Sequence, residues 1–337
     1  MTGINTKGLE LDRDLRVALS EYAPGGKVVA GGKLWTSRYI KKLPDREPIR
    51  YTYGICDTCG YYQSDIVEVR GTIDTCLKCG GQICRNKGIF IVPEFGFIAD
   101  GPDKPGLTRP ERVYSTRKFY KEAALDVTAR FMLGGINTEL ISANNGELAV
   151  INNAFKQGFN YCQYCGYAEP ATKRLNAHIN HLKRPCRGKG QRLALGYEFK
   201  TDVLQIRFPE VYNARRGFWE SVLYGFLEGV SSALDIERQD IDGCLFAYTG
   251  NPTCQALVLF DDVPGGAGHV KRLANKESLE IAVGRMRDIA QNCECGGELK
   301  NTSCYGCLRS YSNQYCHEVL NRGYVLEFAE MLLGWGG

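Results

Sequence analysis

Cys56-Asp57-Thr58-Cys59-Gly60 is followed by Cys76-Leu77-Lys78-Cys79-Gly80. Two thiolates separated by two residues can grip one side of a tetrahedral ion, and the glycine after each pair relieves the tight turn that brings the sulfurs together. The interval between the pairs is that of a zinc ribbon, so Cys56, Cys59, Cys76 and Cys79 are expected to hold Zn2+. Cys84 follows closely and is surplus to a site that four thiolates already close.

A second cluster opens with Cys162-Gln163-Tyr164-Cys165-Gly166 and continues to His178, His181 and Cys186. Cys162, Cys165, His181 and Cys186 would supply three thiolates and an imidazole. His178 competes with His181, because residues three apart on a helix-like run face the same side. A third cluster is formed by Cys293, Cys295, Cys304 and Cys307, with Cys316 and His317 as alternates. The single residue between Cys293 and Cys295 makes this spacing less typical. Cys244 and Cys254 fall in apolar strand-like runs and read as buried free thiols.

Thiolate-rich sites with four protein ligands are closed and structural, whereas a catalytic zinc keeps an open position. All three clusters look closed, so the sequence predicts about three zinc ions per chain acting as folding staples. The total of 15 Cys is odd, and the polar amino terminus MTGINTKGLELDRDL lacks a secretory pattern, which favours metal over disulfides. With no apolar run near the ~18 residues of a membrane span, a cytoplasmic protein with no membrane partner is expected.

Net charge is only +4, but its distribution is uneven. Between positions 173 and 192 the chain carries Lys173, Arg174, Lys183, Arg184, Arg187, Lys189 and Arg192 and no acidic residue. On a metal-anchored knuckle these charges would make a dense field for nucleic-acid phosphates, and Tyr161, Tyr164 and Tyr167 could stack on bases. A solvated basic loop, or a dock for an acidic partner, is the competing reading.

Two other patterns bear on catalysis. Neither Gly26-Lys27-Val28 nor Gly32-Lys33-Leu34 completes a phosphate loop, because no Ser or Thr follows the lysine, so ATP hydrolysis by this chain alone is not expected. The run from Leu259 to His269, with Pro264-Gly265-Gly266-Ala267-Gly268, reads as a strand-to-helix turn in which Asp261 or Asp262 satisfies backbone donors. A hydrolase built on Asp261, Asp262 and His269 is the alternative, though one acid pair and one His are weak evidence for a reaction.

The elements that must position these residues follow from periodicity. A short helix is expected over 11–19, ending at Ala23-Pro24-Gly25-Gly26; strands and knuckles over 50–100, with Pro93 and Phe95-Gly96-Phe97 marking an edge strand or loop; and a linker at 101–106. Strands are expected at 147–153 and at 201–208, the latter placing Leu204, Ile206 and Phe208 on one face. Phe218, Val222, Phe226, Leu227 and Val230 recur at helical spacing; strands over 243–248 and 254–260 and helices over 268–291 and 324–333 complete the chain. The expected class is α+β, with zinc-ribbon and knuckle modules followed by a carboxyl-terminal α/β unit bearing a four-Cys cluster.

The stretch from Phe260-Asp261-Asp262-Val263-Pro264-Gly265-Gly266-Ala267-Gly268-His269 through Cys293, Cys295, Cys304 and Cys307 to the tail LRSYSNQYCHEVLNRGY resembles the zinc-binding (MZB) domain of MrfA-type DEAD/DEAH helicases. The same domain occurs in the B component of the DISARM phage-defence system and in the large helicase of Druantia. The resemblance implies that the four cysteines ligate zinc. Shorter similarities lie at Leu19–Gly25, Tyr114–Arg117, the second cluster and Thr201–Leu204. Three segments are therefore expected: 1–106 with the ribbon, 107–200 with the knuckle and basic loop, and 201–337 as the MZB-like domain. The helicase motor motifs are absent, so what the resemblance implies is an accessory, non-enzymatic module that touches DNA and works with a helicase subunit or motor half, in phage defence or DNA repair. A purely structural protein–protein adaptor is the remaining alternative.

Overall fold

The computed structural model describes residues 2–6, 9–43, 46–106, 116–121, 127–172, 174–175 and 177–334. Its strands are β1 (Thr2–Thr6), β2 (Leu9–Arg13), β3 (Lys27–Ala30), β4 (Lys33–Ile40), β5 (Arg50–Ile55), β6 (Tyr62–Ile66), β7 (Lys87–Ile91), β8 (Phe97–Ala99) and β9 (Arg117–Lys121). They continue as β10 (Ala129–Leu133), β11 (Ile136–Asn152), β12 (Phe159–Cys162), β13 (Ala168–Pro170), β14 (His178–Ile179), β15 (Pro185–Cys186), β16 (Gly190–Arg207), β17 (Ile241–Phe246) and β18 (Ala256–Asp261). The helices are α1 (Leu15–Glu21), α2 (Val67–Arg70), α3 (Phe218–Leu234), α4 (Lys276–Asn292) and α5 (Arg322–Leu333).

Two long strands organise the chain. β11 and β16 pair antiparallel from Glu139↔Arg207 to Asn152↔Leu195, with one register shift between Ala143 and Gly146. β16 also pairs with β12 near its start, with β7 in parallel at Ala194–Leu195, and with β18 near its end. It runs through position 200, so the segments on either side share one sheet. A second sheet has the order β2-β1-β8-β4-β3. β8 is thus an interior strand rather than the expected edge, because Pro93 and Gly96 lie in the turn before it and remove no donor from its ladder.

Alternation along β16 divides the core. Leu204, Ile206 and Phe208 share one face as predicted, and that face packs in one core with α3, α4 and α5, while Val203 turns to the opposite face with Val258 and Phe260. Every residue of the α3 spacing pattern is buried, and Leu227 and Val230 are fully enclosed. Burying such side chains contributes about 1.5–3 kcal/mol each. Gly225 and Gly229 let the neighbouring helices close in: a Cβ at Gly225 would strike Val325, and one at Gly229 would strike the Ala282 carbonyl.

Capping sets several boundaries that periodicity missed. The first helix starts at Leu15 rather than at 11, because Asp14 caps it, accepting from Arg16 N at 3.0 Å, and the residues before it form β2. Likewise α4 starts at Lys276 rather than 268, where Asn275 accepts from Ser278 N at 2.9 Å. The expected linker is pinned, since Asp103 exchanges backbone hydrogen bonds with Leu34.

Candidate metal centres

Three groups of four ligand atoms converge, each with its atoms within 4.8 Å of one another: Cys56, Cys59, Cys76 and Cys79; Cys162, Cys165, His178 and Cys186; and Cys293, Cys295, Cys304 and Cys307. Sulfurs at the corners of a tetrahedron with ~2.3 Å Zn–S bonds lie about 3.8 Å apart. The Cys56–Cys79 and Cys59–Cys76 sulfurs are separated by 3.5 and 3.7 Å, Cys162–Cys186 by 3.9 Å, and Cys293–Cys304 and Cys295–Cys307 by 3.5 and 3.7 Å. The donor sets fit zinc, with one ion for each cluster, and the chemistry zinc supplies in such closed sites is structural cross-linking.

The backbone explains how the sequence makes these sites. Gly60, Gly80 and Gly166 each sit at φ between 72° and 75° and donate to the carbonyls of Cys56, Cys76 and Cys162 at 2.9–3.0 Å. A left-handed residue at that place is what glycine tolerates. Thr58 N and Cys59 N donate to the Cys56 sulfur at 3.4 Å, and Lys78 N donates to Cys76 at 3.3 Å.

The thiols resist sharing a site as bare anions. Burial raises Cys56, but N–H donors from Cys59 and Thr58 and the neighbouring sulfurs outweigh it and bring the group down to about 7. Burial pushes Cys59 well up, and it lifts Cys165 to about 12. A divalent cation meeting all four donors removes this conflict, because it stabilises every thiolate at once.

In the second cluster the histidine is His178, not His181. His178 and Cys186 are cross-strand partners on β14 and β15, so their side chains project to one face, and His178 Nε2 lies 3.1 Å from the Cys165 sulfur. His181 lies in the exposed turn from Asn180 to Arg184 and meets Tyr39 edge-on at 6.1 Å. The helix-like reading failed because this segment is a short ladder.

In the third cluster Cys293 caps the end of α4, and Cys307 is buried within the helical core. Cys316 and His317 stay outside it: the Cys316 thiol donates to Asn313 O, and His317 Nε2 lies 2.8 Å from Asn313 Oδ1. Cys84 is exposed and outside any cluster, whereas Cys244 and Cys254 are buried as read.

The basic residues spread over more than one surface. Arg174, Lys183, Arg184, Arg187 and Lys189 are exposed around the knuckle, with Lys183 paired to Asp100 at 2.7 Å; Lys173 lies outside the described residues. Arg192 turns away, donating to Lys156 O at 3.0 Å. Of the tyrosines, Tyr164 is open, Tyr167 stacks on His178 at 4.8 Å, and Tyr161 is buried, so Tyr161 cannot meet a base.

The glycine turn is held from within. Buried Asp261 accepts from Ala267 N, His269 N and Val270 N at 2.6, 3.1 and 2.9 Å. Asp262 is drawn to Arg16 at 2.6 Å and Lys118 at 3.1 Å. Burial alone would lower the Lys118 ammonium, but Asp242 and Asp262 outweigh it and hold its pKa above the usual value. The two carboxylates therefore organise structure and do not converge with His269 as a hydrolytic set. Asp261→Ala strands three donors and is expected to cost roughly 3–5 kcal/mol, read as a lower urea midpoint with zinc content unchanged. An unaltered midpoint would show that another group holds the turn.

No helix among the described residues is long and apolar enough to cross a membrane. Comparison with known proteins adds relatives. The chain is 26% identical over 354 residues to Druantia protein DruE of Escherichia coli (strain UMEA 4076-1), a similarity covering 90% of this chain and 18% of that relative's length. The solved structure of the DUF1998 helicase MrfA bound to DNA aligns with 72% of this chain and 28% of its own, at 12% identity and a TM-score of 0.38. MrfA bound to DNA and AMPPNP aligns with 61% and 27%, at 10% identity and a TM-score of 0.30. Residues 223–308 match the family model of the MrfA Zn-binding domain. That match takes in most of α3, the β17–β18 hairpin, α4 and all four cysteines of the third cluster, so this part of the chain is similar to a MrfA Zn-binding domain.

Proposed function

We propose that this chain is the zinc-stabilised, DNA-contacting accessory module of a DEAD/DEAH-type helicase system in anti-phage defence, working beside a motor rather than as one. The observation that carries the reading is the similarity of 90% of the chain to part of Druantia protein DruE, together with the MrfA Zn-binding domain at residues 223–308. Zinc would be held by Cys56, Cys59, Cys76 and Cys79; by Cys162, Cys165, His178 and Cys186; and by Cys293, Cys295, Cys304 and Cys307.

The knuckle supplies the DNA contact in this proposal. Exposed Arg184, Arg187 and Lys189 flank the second cluster, and Tyr164 stands 83% exposed beside them. Phosphate neutralisation by such groups is sequence-independent and salt-sensitive. The double substitution R184E/R187E is expected to weaken binding to a duplex or a single strand at least about tenfold and to flatten the salt dependence by about one to two units of slope. Fluorescence anisotropy across a salt series checks this; wild-type affinity and slope in the variant would refute the knuckle as the DNA contact.

A further inference from the structure

Where β7 and β16 run parallel, their ladder is recorded only at Phe90–Ala194 and Ile91–Leu195. Before those rungs, Lys87, Gly88 and Ile89 of β7 and Arg192 and Leu193 of β16 line a cleft of about 280 Å³, together with Arg85 and Lys156. Among the described residues no carboxylate lines it, and of its four cations only Lys87 has an acidic partner, Asp74. A cleft lined by one sign of charge concentrates its field on whatever enters, and cations held together without counter-charge favour an anion that neutralises them.

Both walls are fixed by contacts that leave the charged ends unused. Asp57, inside the first cysteine pair, accepts from Cys84 N at 3.0 Å, Arg85 N at 3.2 Å and Asn86 Nδ2 at 2.6 Å, so the first ribbon sets the backbone that carries Arg85. On the other wall, Ala154, Phe155 and Lys156 have φ of 46°, 54° and 71°. Successive left-handed residues with side chains are costly and persist only where surrounding contacts over-determine them. Here Asn152 Oδ1 accepts from Ala154 N at 3.0 Å and Asn153 Oδ1 accepts from Lys156 N at 3.1 Å. Arg192 is seated twice: its stem passes so close to Gly158 that a Cβ there would lie 3.1 Å from Arg192 Cγ, and one N–H donates to Lys156 O at 3.0 Å. The rest of its guanidinium fork meets no other acceptor among the described residues and suits the paired oxygens of a phosphate.

We infer that this cleft binds a phosphate-bearing ligand, with Arg85, Lys87, Lys156 and Arg192 surrounding the phosphate oxygens. Uncharged polar groups of Tyr53, Asn86 and Asn153 lie in the same lining and add hydrogen-bonding capacity. The assignment concerns the phosphate itself, whether it belongs to a nucleic-acid backbone or to a free phosphorylated molecule. It does not depend on the knuckle contacting DNA.

The test uses the zinc-loaded 337-residue chain and inorganic pyrophosphate in a calorimetric titration at low salt. The main variant is R85E/K156E, since both side chains are exposed and neither has an ion-pair partner among the described residues. R85Q/K156Q is the milder second variant, and zinc content with thermal melting confirms that each is folded. Expected is saturable binding of one pyrophosphate per chain, weakened at least about tenfold by R85E/K156E, less by R85Q/K156Q, and unchanged by R184E/R187E. Anisotropy with a labelled duplex and with dT20 then identifies the source. A parallel loss of DNA affinity, with the duplex salt slope shallower by about 1.8, marks the ligand as backbone phosphate. Unchanged DNA affinity beside lost pyrophosphate binding marks it as a free phosphorylated molecule. The inference is overturned if both cleft variants bind pyrophosphate and DNA like the parent chain, or if pyrophosphate binding disappears in R184E/R187E and persists in R85E/K156E.

Discussion

Chelating the metal at neutral pH is expected to abolish the cooperative melting of the helical unit, not merely to loosen a surface loop. Cys307 is 3% exposed and belongs to the same buried cluster as Leu308, Val325 and Phe328, so the third ion ties directly into the packing of α3, α4 and α5. Structural zinc contributes about 10–16 kcal/mol of apparent binding free energy in small zinc peptides, comparable to the whole stability of a domain at about 5–15 kcal/mol. Cys307→Ala should therefore lose one zinc per chain and the unit's melting transition. Exposed Cys84→Ser should retain all three zinc ions and melt like the parent protein. Metal analysis alongside calorimetry checks both; a chelated protein that still melts at its original temperature would contradict the staple role.

The second large effect is expected at Arg322. Its guanidinium is buried at 2% exposure and donates to Cys295 O at 2.6 Å, Ala290 O at 3.1 Å and Gly297 O at 2.9 Å. It sits at the first turn of α5 and ties the last turn of α4 to the backbone of Cys295 and Gly297. A cation at the carboxyl end of a helix also opposes the partial negative charge gathered there. Arg322→Met fills similar space but strands three carbonyls, at about 1–3 kcal/mol for each buried group left unpaired. The expected loss is about 3–5 kcal/mol in denaturant unfolding, with weaker zinc retention at the third cluster. Arg322→Lys, which can satisfy part of the set, should fall between the two.

What was legible in the sequence was local. A Cys pair and its following glycine fix both the ligands and the turn within five residues, so the first cluster could be read directly. Helix α3 was legible because its apolar residues repeat on one chain segment. The choice between His178 and His181 was not, since it depends on the pairing of His178 with Cys186 across the β14–β15 ladder. Arg322 was missed because its carbonyl partners lie 25 to 32 residues upstream. The ion pair between Arg16 and Asp262 spans 246 residues, and only the fold reveals that Asp262 is already engaged. Arg85, Lys87, Lys156 and Arg192 line one cleft although they come from three distant stretches of the chain, a gathering that only the fold reveals. The reach of β16 was also underestimated, because Glu198 is a polar residue in strand register that satisfies Tyr62, Ser64 and Lys121.

The pairing of β11 with β16 has a mechanical consequence. At about 3.3 Å per residue, the 18 residues of β16 make a strut about 60 Å long. Its first residues pair with the strand that ends in Cys162, and its last lie under the helical unit. Ladder hydrogen bonds stand perpendicular to the strands, so tension applied along the strut loads the rungs together in shear rather than peeling them one at a time. A pull applied at the knuckle would thus reach the helices as nearly rigid displacement instead of being spent in unzipping the ladder.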